Sequence, residues 1–169
     1  MSDQPRGRVL VIAGSDNSGG AGIQADIKAI TASGGYAMTA ISAITVQDTT
    51  GVHGVFPIPH DVVLGQVSTA LGDIGADAIK TGMLADPLLI EQVAETLSER
   101  APAAQRVIDP VMVATSGDRL VKRAATDALA AELIPGAALV TPNAPDADGD
   151  TLRIVGTNFG DEGEARIVI

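Results

Sequence analysis

Short apolar runs alternate with amphipathic stretches from Val9 to Thr141. Val9 to Ala13 is a β-branched run closed by Gly14, the pattern of a buried strand. Beyond a glycine-rich loop, Ile23, Ile27 and Ile30 recur around Asp26 and Lys28 with the spacing of an amphipathic helix, which stops at Gly34 and Gly35. Ala37 to Val46 predicts a second strand. Gln47 to Pro59, punctuated by Gly51, Gly54, Pro57 and Pro59, reads as a long loop. Asp61 is placed to cap a helix running to about Asp73, Ala78 to Thr81 predicts a strand, and Pro87 opens a helix ending near Arg100. Val107 to Asp109 (strand), Pro110 to Leu120 (loop), Lys122 to Leu133 (helix) and Ala138 to Thr141 (strand) continue the alternation. Strand–helix alternation with right-handed crossovers predicts an α/β fold with a mainly parallel sheet between helices, and ligands in such folds collect at the carboxyl ends of the strands. After about Ala147 the pattern changes to a turn-like Asp148-Gly149-Asp150 and then β-formers interspersed with glycines, with no helical period.

Composition narrows this picture. In 169 residues, 46% are hydrophobic and only 2% aromatic, so the core is built from aliphatic side chains that suit strands covered on both faces. A net charge of −10 argues against a phosphate-backbone binder, and nucleic acid is not expected as a partner. With no cysteine, disulfides, thiolate metal sites and thiol nucleophiles are excluded, which fits a cytoplasmic protein. Met1 to Arg8 lack an apolar export region, and no apolar run is long enough for a membrane span.

The loop after the first strand contains Gly20-Ala21-Gly22-Ile23-Gln24-Ala25, which formally satisfies a dinucleotide fingerprint opening a helix. In that fold the first glycine follows the strand directly, whereas here Gly14 to Gly19 intervene, which counts against a nicotinamide cofactor. The simpler expectation is that exposed backbone N–H groups and a helix N-terminus offer a site for a polar or anionic ligand.

Read as a longer string, Ala13-Gly14-Ser15-Asp16-Asn17-Ser18-Gly19-Gly20-Ala21-Gly22-Ile23-Gln24-Ala25-Asp26-Ile27-Lys28 resembles the signature of the hydroxymethylpyrimidine/phosphomethylpyrimidine kinases of thiamine biosynthesis, in the ribokinase-like superfamily. The resemblance continues through Thr45-Val46-Gln47-Asp48-Thr49, Ile79-Lys80-Thr81-Gly82-Met83-Leu84, Ile108-Asp109-Pro110-Val111-Met112 with Ser116-Gly117, and Val140-Thr141-Pro142-Asn143. It covers about Val9 to Ala147, in the family's order. It implies a ribokinase-like three-layer sandwich, incomplete at its C-terminal side, and an ATP- and Mg²⁺-dependent transferase that phosphorylates 4-amino-5-hydroxymethyl-2-methylpyrimidine and its monophosphate.

By the same resemblance Gln47, Asp26, Gly14, Met83 and Val111 surround the pyrimidine. The Gln47 amide, with one acceptor and two donors, suits an aminopyrimidine edge. Asp109 is implied at the metal and triphosphate, where Mg²⁺ takes one or two carboxylates together with phosphate oxygens. Asn143 and Asp146 are implied on the nucleotide side, although Asp146 stands one methylene short of the family's glutamate and also reads as the start of a turn. Lys80 reads as a strand-end lysine with its head in water rather than a phosphate contact. His53 and His60 sit in the long loop without an evident partner carboxylate or third ligand.

Related enzymes continue through a Gly-Thr-Gly-rich anion loop and a base that nothing in this sequence matches, so the catalytic base is unassigned. Residues 1–147 are expected to form the N-terminal part of the kinase domain. Residues 148–169 form a divergent tail whose Thr151 to Gly160 resembles the opening of an immunoglobulin-like IPT/TIG domain but is too short to fold as one. Rival readings are a non-catalytic pyrimidine-binding remnant and a pyridoxal kinase. An incomplete sheet would expose an edge that invites pairing with a second copy.

Overall fold

In the computed structural model, residues 5–111 and 123–142 are described. The strands are β1 (Arg8–Ser15), β2 (Tyr36–Gln47), β3 (Val52–Pro57), β4 (Ala78–Thr81), β5 (Gln105–Ile108) and β6 (Leu139–Val140), and the helices are α1 (Gly22–Ala32), α2 (His60–Asp73), α3 (Pro87–Arg100) and α4 (Arg123–Ala128). They build one sheet in the order β3-β2-β1-β4-β5-β6, parallel throughout except for β3.

The alternation of side chains along β1 sorts the core into two layers. Leu10 and Ile12 point into the larger layer, with Ile79, Ile108 and the inward faces of α2 and α3, while Val11 and Ala13 meet Ile23 of α1 on the opposite face. Helices on both faces of a mainly parallel sheet make the three-layer α/β architecture that the sequence predicts. α3 follows its pattern closely: Leu89, Ile90, Val93, Ala94 and Leu97 form the buried stripe, Pro87 stands in the first turn, and the Asp86 carboxylate caps the Leu88 N–H at 2.9 Å. α4 runs on through a π turn (Leu129–Leu133) and a 3₁₀ turn (Ile134–Gly136), which bury Leu129, Leu133 and Ile134.

Two local expectations are corrected. The long loop after Gln47 contains β3, an antiparallel edge strand paired with Ala43–Gln47. The Pro and Gly residues that signal a loop are tolerated because an edge strand needs hydrogen bonds on one side only. Asp61 does not cap α2; the helix begins one residue earlier and Asp61 lies in its first turn, where it complements the helix dipole.

β2 carries an extra residue where it leaves β1, between the pairs Ala13↔Ile41 and Ser15↔Ile44. The Ile41 backbone freed there bonds to the Gln66 side chain of α2, its N–H donating to Oε1 at 3.0 Å and its carbonyl accepting from Nε2 at 3.4 Å. A second irregularity falls between Val46 and Gln47, with His53 as the surplus residue of β3. Bulges re-aim side chains and recur beside binding sites. This pair sits at the end of β2, next to the loop that follows β1.

Candidate functional site at the carboxyl ends of the strands

The first crossover, α1, covers one face of the sheet, and the later helices cover the other. The change of side falls between β1 and β4, where an α/β sheet opens a crevice at its carboxyl edge. Gln47 ends β2, Gly14 lies near the end of β1, Met83 follows β4, and Asp109 and Val111 follow β5, so these residues line neighbouring strand ends.

The glycine-rich loop is closed by its own carboxylate. Asp16, only 2% exposed, accepts hydrogen bonds from the Ser18 N–H (2.8 Å), Ser18 Oγ (3.0 Å), Gly20 N–H (3.1 Å) and Ala21 N–H (2.8 Å). Burial alone would raise its pKa, but the bonds from Ser18, Ala21 and Gly20 outweigh that and hold it below the usual carboxylate range. These N–H groups were expected to receive an external anion. Asp16 already occupies them, so neither that expectation nor the dinucleotide fingerprint holds for the Gly20–Ala21 turn. Gly22 supports the same turn: with φ +57° its backbone lies so close to the Gly14 carbonyl that a Cβ would overlap it.

Side chains stitch this loop to the end of β2. Asn17 Oδ1 accepts from the Gln47 N–H at 2.7 Å, and Thr45 Oγ1 donates to the Ser15 carbonyl at 2.6 Å. The single Thr45 hydroxyl proton is thereby used, so its 3.3 Å contact with Gln47 Oε1 is weak. The Gln47 backbone is therefore fixed, while its amide keeps donor and acceptor capacity for a ligand. Gly14 and Met83 meet beside it: a Cβ on Gly14 would stand 2.8 Å from Met83 Cε. Met83 is 7% exposed and its carbonyl accepts from Ser42 Oγ at 2.8 Å. Val111 is half-buried against the larger core layer.

Asp26 of α1, Lys80 of β4 and Asp109, which follows β5, form an ion cluster. Lys80 Nζ lies 2.9 and 3.0 Å from the two Asp26 oxygens and 3.4 Å from Asp109 Oδ2, and the three side chains are 18–23% exposed. The expectation of a Lys80 head in water is corrected: the register opposite Val11 turns it toward α1 and onto these carboxylates. Asp109 Oδ1 is buried without a hydrogen-bond partner among the described residues. Burial pushes the Asp109 carboxyl above its usual pKa, the nearby Lys80 opposes this, and Asp26 adds to it. One ammonium between two carboxylates leaves a net negative site with an unclaimed hard oxygen, which fits a divalent cation that draws its other ligands from phosphate and water. Among the described residues no three His, Asp or Glu side chains converge as a complete protein cage.

His53, expected to lack a partner, pairs with Asp48 at 2.8 Å on the exposed hairpin. Asn143, Asp146 and residues 148–169 lie outside the described residues. Sequence reasoning missed Asp16 and Lys80, and only Asp16 had a local signal, an Asp followed within five residues by Ser and Gly N–H donors.

A three-layer α/β sheet with polar and charged groups along one carboxyl edge is an architecture that small-molecule kinases share with other α/β enzymes. The chain matches the family model for phosphomethylpyrimidine kinase over residues 16–166 and belongs to that family. It is 45% identical over 140 residues to the hydroxymethylpyrimidine/phosphomethylpyrimidine kinase of Mycobacterium tuberculosis, covering 83% of this chain and 51% of that protein. It is 44% identical over 162 residues to the thiamine biosynthesis bifunctional protein ThiED of Geobacter sulfurreducens, covering 96% of this chain and 32% of that protein. The chain thus spans about half the length of the single-function relatives it matches, and less of the bifunctional one. Among solved structures it is similar to phosphomethylpyrimidine kinase from Clostridium difficile (TM-score 0.75, 43% identity, 80% of this chain and 58% of that one). It is also similar to pyridoxal kinase from Staphylococcus aureus in complex with pyridoxal (TM-score 0.72, 44% identity, 80% and 48%). No helix among the described residues is long and apolar enough to cross a membrane.

Proposed function

We propose that this chain carries the pyrimidine-binding part of a cytoplasmic kinase of thiamine biosynthesis, which transfers the γ-phosphoryl of ATP to 4-amino-5-hydroxymethyl-2-methylpyrimidine and then to its monophosphate. The observation that carries the reading is the Gln47 amide, which makes only a weak contact among the described residues and is held by its backbone at a bulge, beside the tight Gly14–Met83 wall. Gln47 reads the aminopyrimidine edge; a ligand without the amine would leave the amide unpaired, which makes the contact selective. Gly14 lets the ring approach the backbone, Met83 and Val111 supply apolar walls, and Asp26 accepts a hydrogen bond from the hydroxymethyl group. Asp109, together with Asn143 and Asp146, serves the nucleotide side.

Mg²⁺, when bound, neutralises charge on the transferring phosphoryl group. Asp109 Oδ1 is the described atom that suits it. The base that activates the hydroxyl is not assigned to any described residue. Support for ATP comes from similarity to a pyridoxal kinase solved in complex with AMP-PCP. Similarity to the pyridoxal complex supports a second reading, pyridoxal as the acceptor.

A coupled ADP-release assay with Mg-ATP, run with each acceptor on the wild type and Gln47→Ala, tests this. Release that requires the aminopyrimidine and is lost in Gln47→Ala is expected. Aminopyrimidine binding without ADP release would reduce the reading to a binding part, release only with pyridoxal would favour the second reading, and no binding of either acceptor would overturn both.

A further inference from the structure

We propose that Lys80 is a positioning residue: it fixes the Asp26 carboxylate for the acceptor hydroxyl and thereby sets a preference for hydroxymethyl-bearing over methyl-bearing aminopyrimidines. The inference rests on the pyrimidine reading above and concerns how one part of that ligand is recognised.

The geometry is specific. An ammonium has three protons in a compact, rotatable head. Two are directed at the Asp26 oxygens at 2.9 and 3.0 Å, and the third faces Asp109 Oδ2 at 3.4 Å. With two protons on Asp26 and an ion pair to Asp109, Lys80 acts chiefly on these two carboxylates. Neither carboxylate is placed by its own helix or strand alone. Asp26 is anchored one turn beyond Ile23, which packs in the smaller core layer with Val11, and Lys80 rises from the position paired with Val11 in β4. Sheet register and helix packing therefore converge on one ion pair at the crevice.

Asp26 retains lone pairs beyond those that accept from Lys80, so it can also accept a hydrogen bond from an alcohol. Without Lys80, two half-buried carboxylates would face each other and move apart, and the acceptor for the hydroxyl would lose its fixed position. Holding a group in place before the ligand arrives strengthens contacts made at that group alone. The part of the ligand that Gln47 and Met83 hold should be indifferent to Lys80.

The test is a calorimetric titration of the full chain with 4-amino-5-hydroxymethyl-2-methylpyrimidine and with 4-amino-2,5-dimethylpyrimidine, which lacks only the hydroxyl. The wild type is expected to prefer the hydroxymethyl compound by about tenfold or more, the value of a hydrogen bond to a charged acceptor. Lys80→Met should bring that preference to about twofold or less while binding the dimethyl compound as the wild type does, and Lys80→Arg should retain most of it. Asp26→Asn should lose the preference equally, with no further loss in the double variant, since coupled residues are not additive. If Lys80→Met is too unstable to study, Lys80→Met combined with Asp109→Asn removes the repulsion and should still lack the preference. Equal weakening of both ligands, or an unchanged preference, overturns the role of Lys80 and leaves the pyrimidine reading intact. Failure of the wild type to bind either ligand overturns the pyrimidine reading and this inference with it.

Discussion

Asp16 and Asp109 both lie at the carboxyl edge of the sheet, and their surroundings differ in kind. Asp16 accepts four hydrogen bonds from the loop that contains it, and its pKa is lowered. Asp109 has one oxygen near Lys80 and another buried without a partner among the described residues, and burial raises its pKa. A satisfied buried carboxylate is a structural staple; one left short of partners is retained for something that arrives later. The contrast separates the glycine-rich loop, which resembles a ligand-binding turn but closes on itself, from the β1–β4–β5 edge, whose polar groups remain available.

The strongest way to break this comparison is Asp16→Ala. It strands the Ser18, Gly20 and Ala21 donors and should cost about 2–4 kcal/mol, seen as a drop of roughly 10 °C in the melting midpoint. A change under about 2 °C would mean that water replaces the carboxylate and that the staple is unimportant. Next comes Gln47→Ala, which should weaken aminopyrimidine binding about 10- to 100-fold in calorimetry with little change in melting, because the amide has no strong partner among the described residues. Asp109→Asn should act in the opposite sense to Asp16→Ala: removing a buried charge should leave the midpoint unchanged or raise it by about 2 °C, while weakening the Mg²⁺ dependence of nucleotide binding. A fall as large as that of Asp16→Ala would make Asp109 a structural residue.

The smallest effect concerns acid. Because the folded-state pKa of Asp16 lies below its unfolded value, its contribution is present above the unfolded pKa, near 4, and is lost as the pH falls through the folded value. Asp16→Asn should therefore lose less stability than the wild type between about pH 5 and pH 2 in denaturant titrations. Parallel acid limbs would remove the carboxylate from the account.

How much was legible beforehand follows from where each signal resides. Ala78–Thr81 and Pro87–Arg100 were readable to the residue, because a short apolar run and a capped 3.6-residue period are local properties. β3 was not: Gly54 and Pro57 outweighed Val52, Val55 and Phe56, and its pairing is supplied by β2. Phe56, 60% exposed, buries too little to reveal a core face. The candidate residues Gln47, Gly14, Met83 and Asp109 were found through family resemblance, and the fold brings them to adjacent strand ends. Lys80 was misjudged because its partner Asp26 is 54 positions away and only the β1–β4 register brings them together. The closure of the glycine loop by Asp16 was written within five residues, but a glycine-rich string before a helix looks the same whether its N–H groups are free or taken.

The most direct test of the contrast between loop and edge is an amide chemical-shift titration with 4-amino-5-hydroxymethyl-2-methylpyrimidine. The account predicts the largest saturable shifts at Gln47, Gly14 and Met83, with the Gly20 and Ala21 amides nearly unmoved because Asp16 holds them. Dominant shifts at Gly20 and Ala21, with Gln47 silent, would contradict it and return the ligand site to the glycine-rich loop.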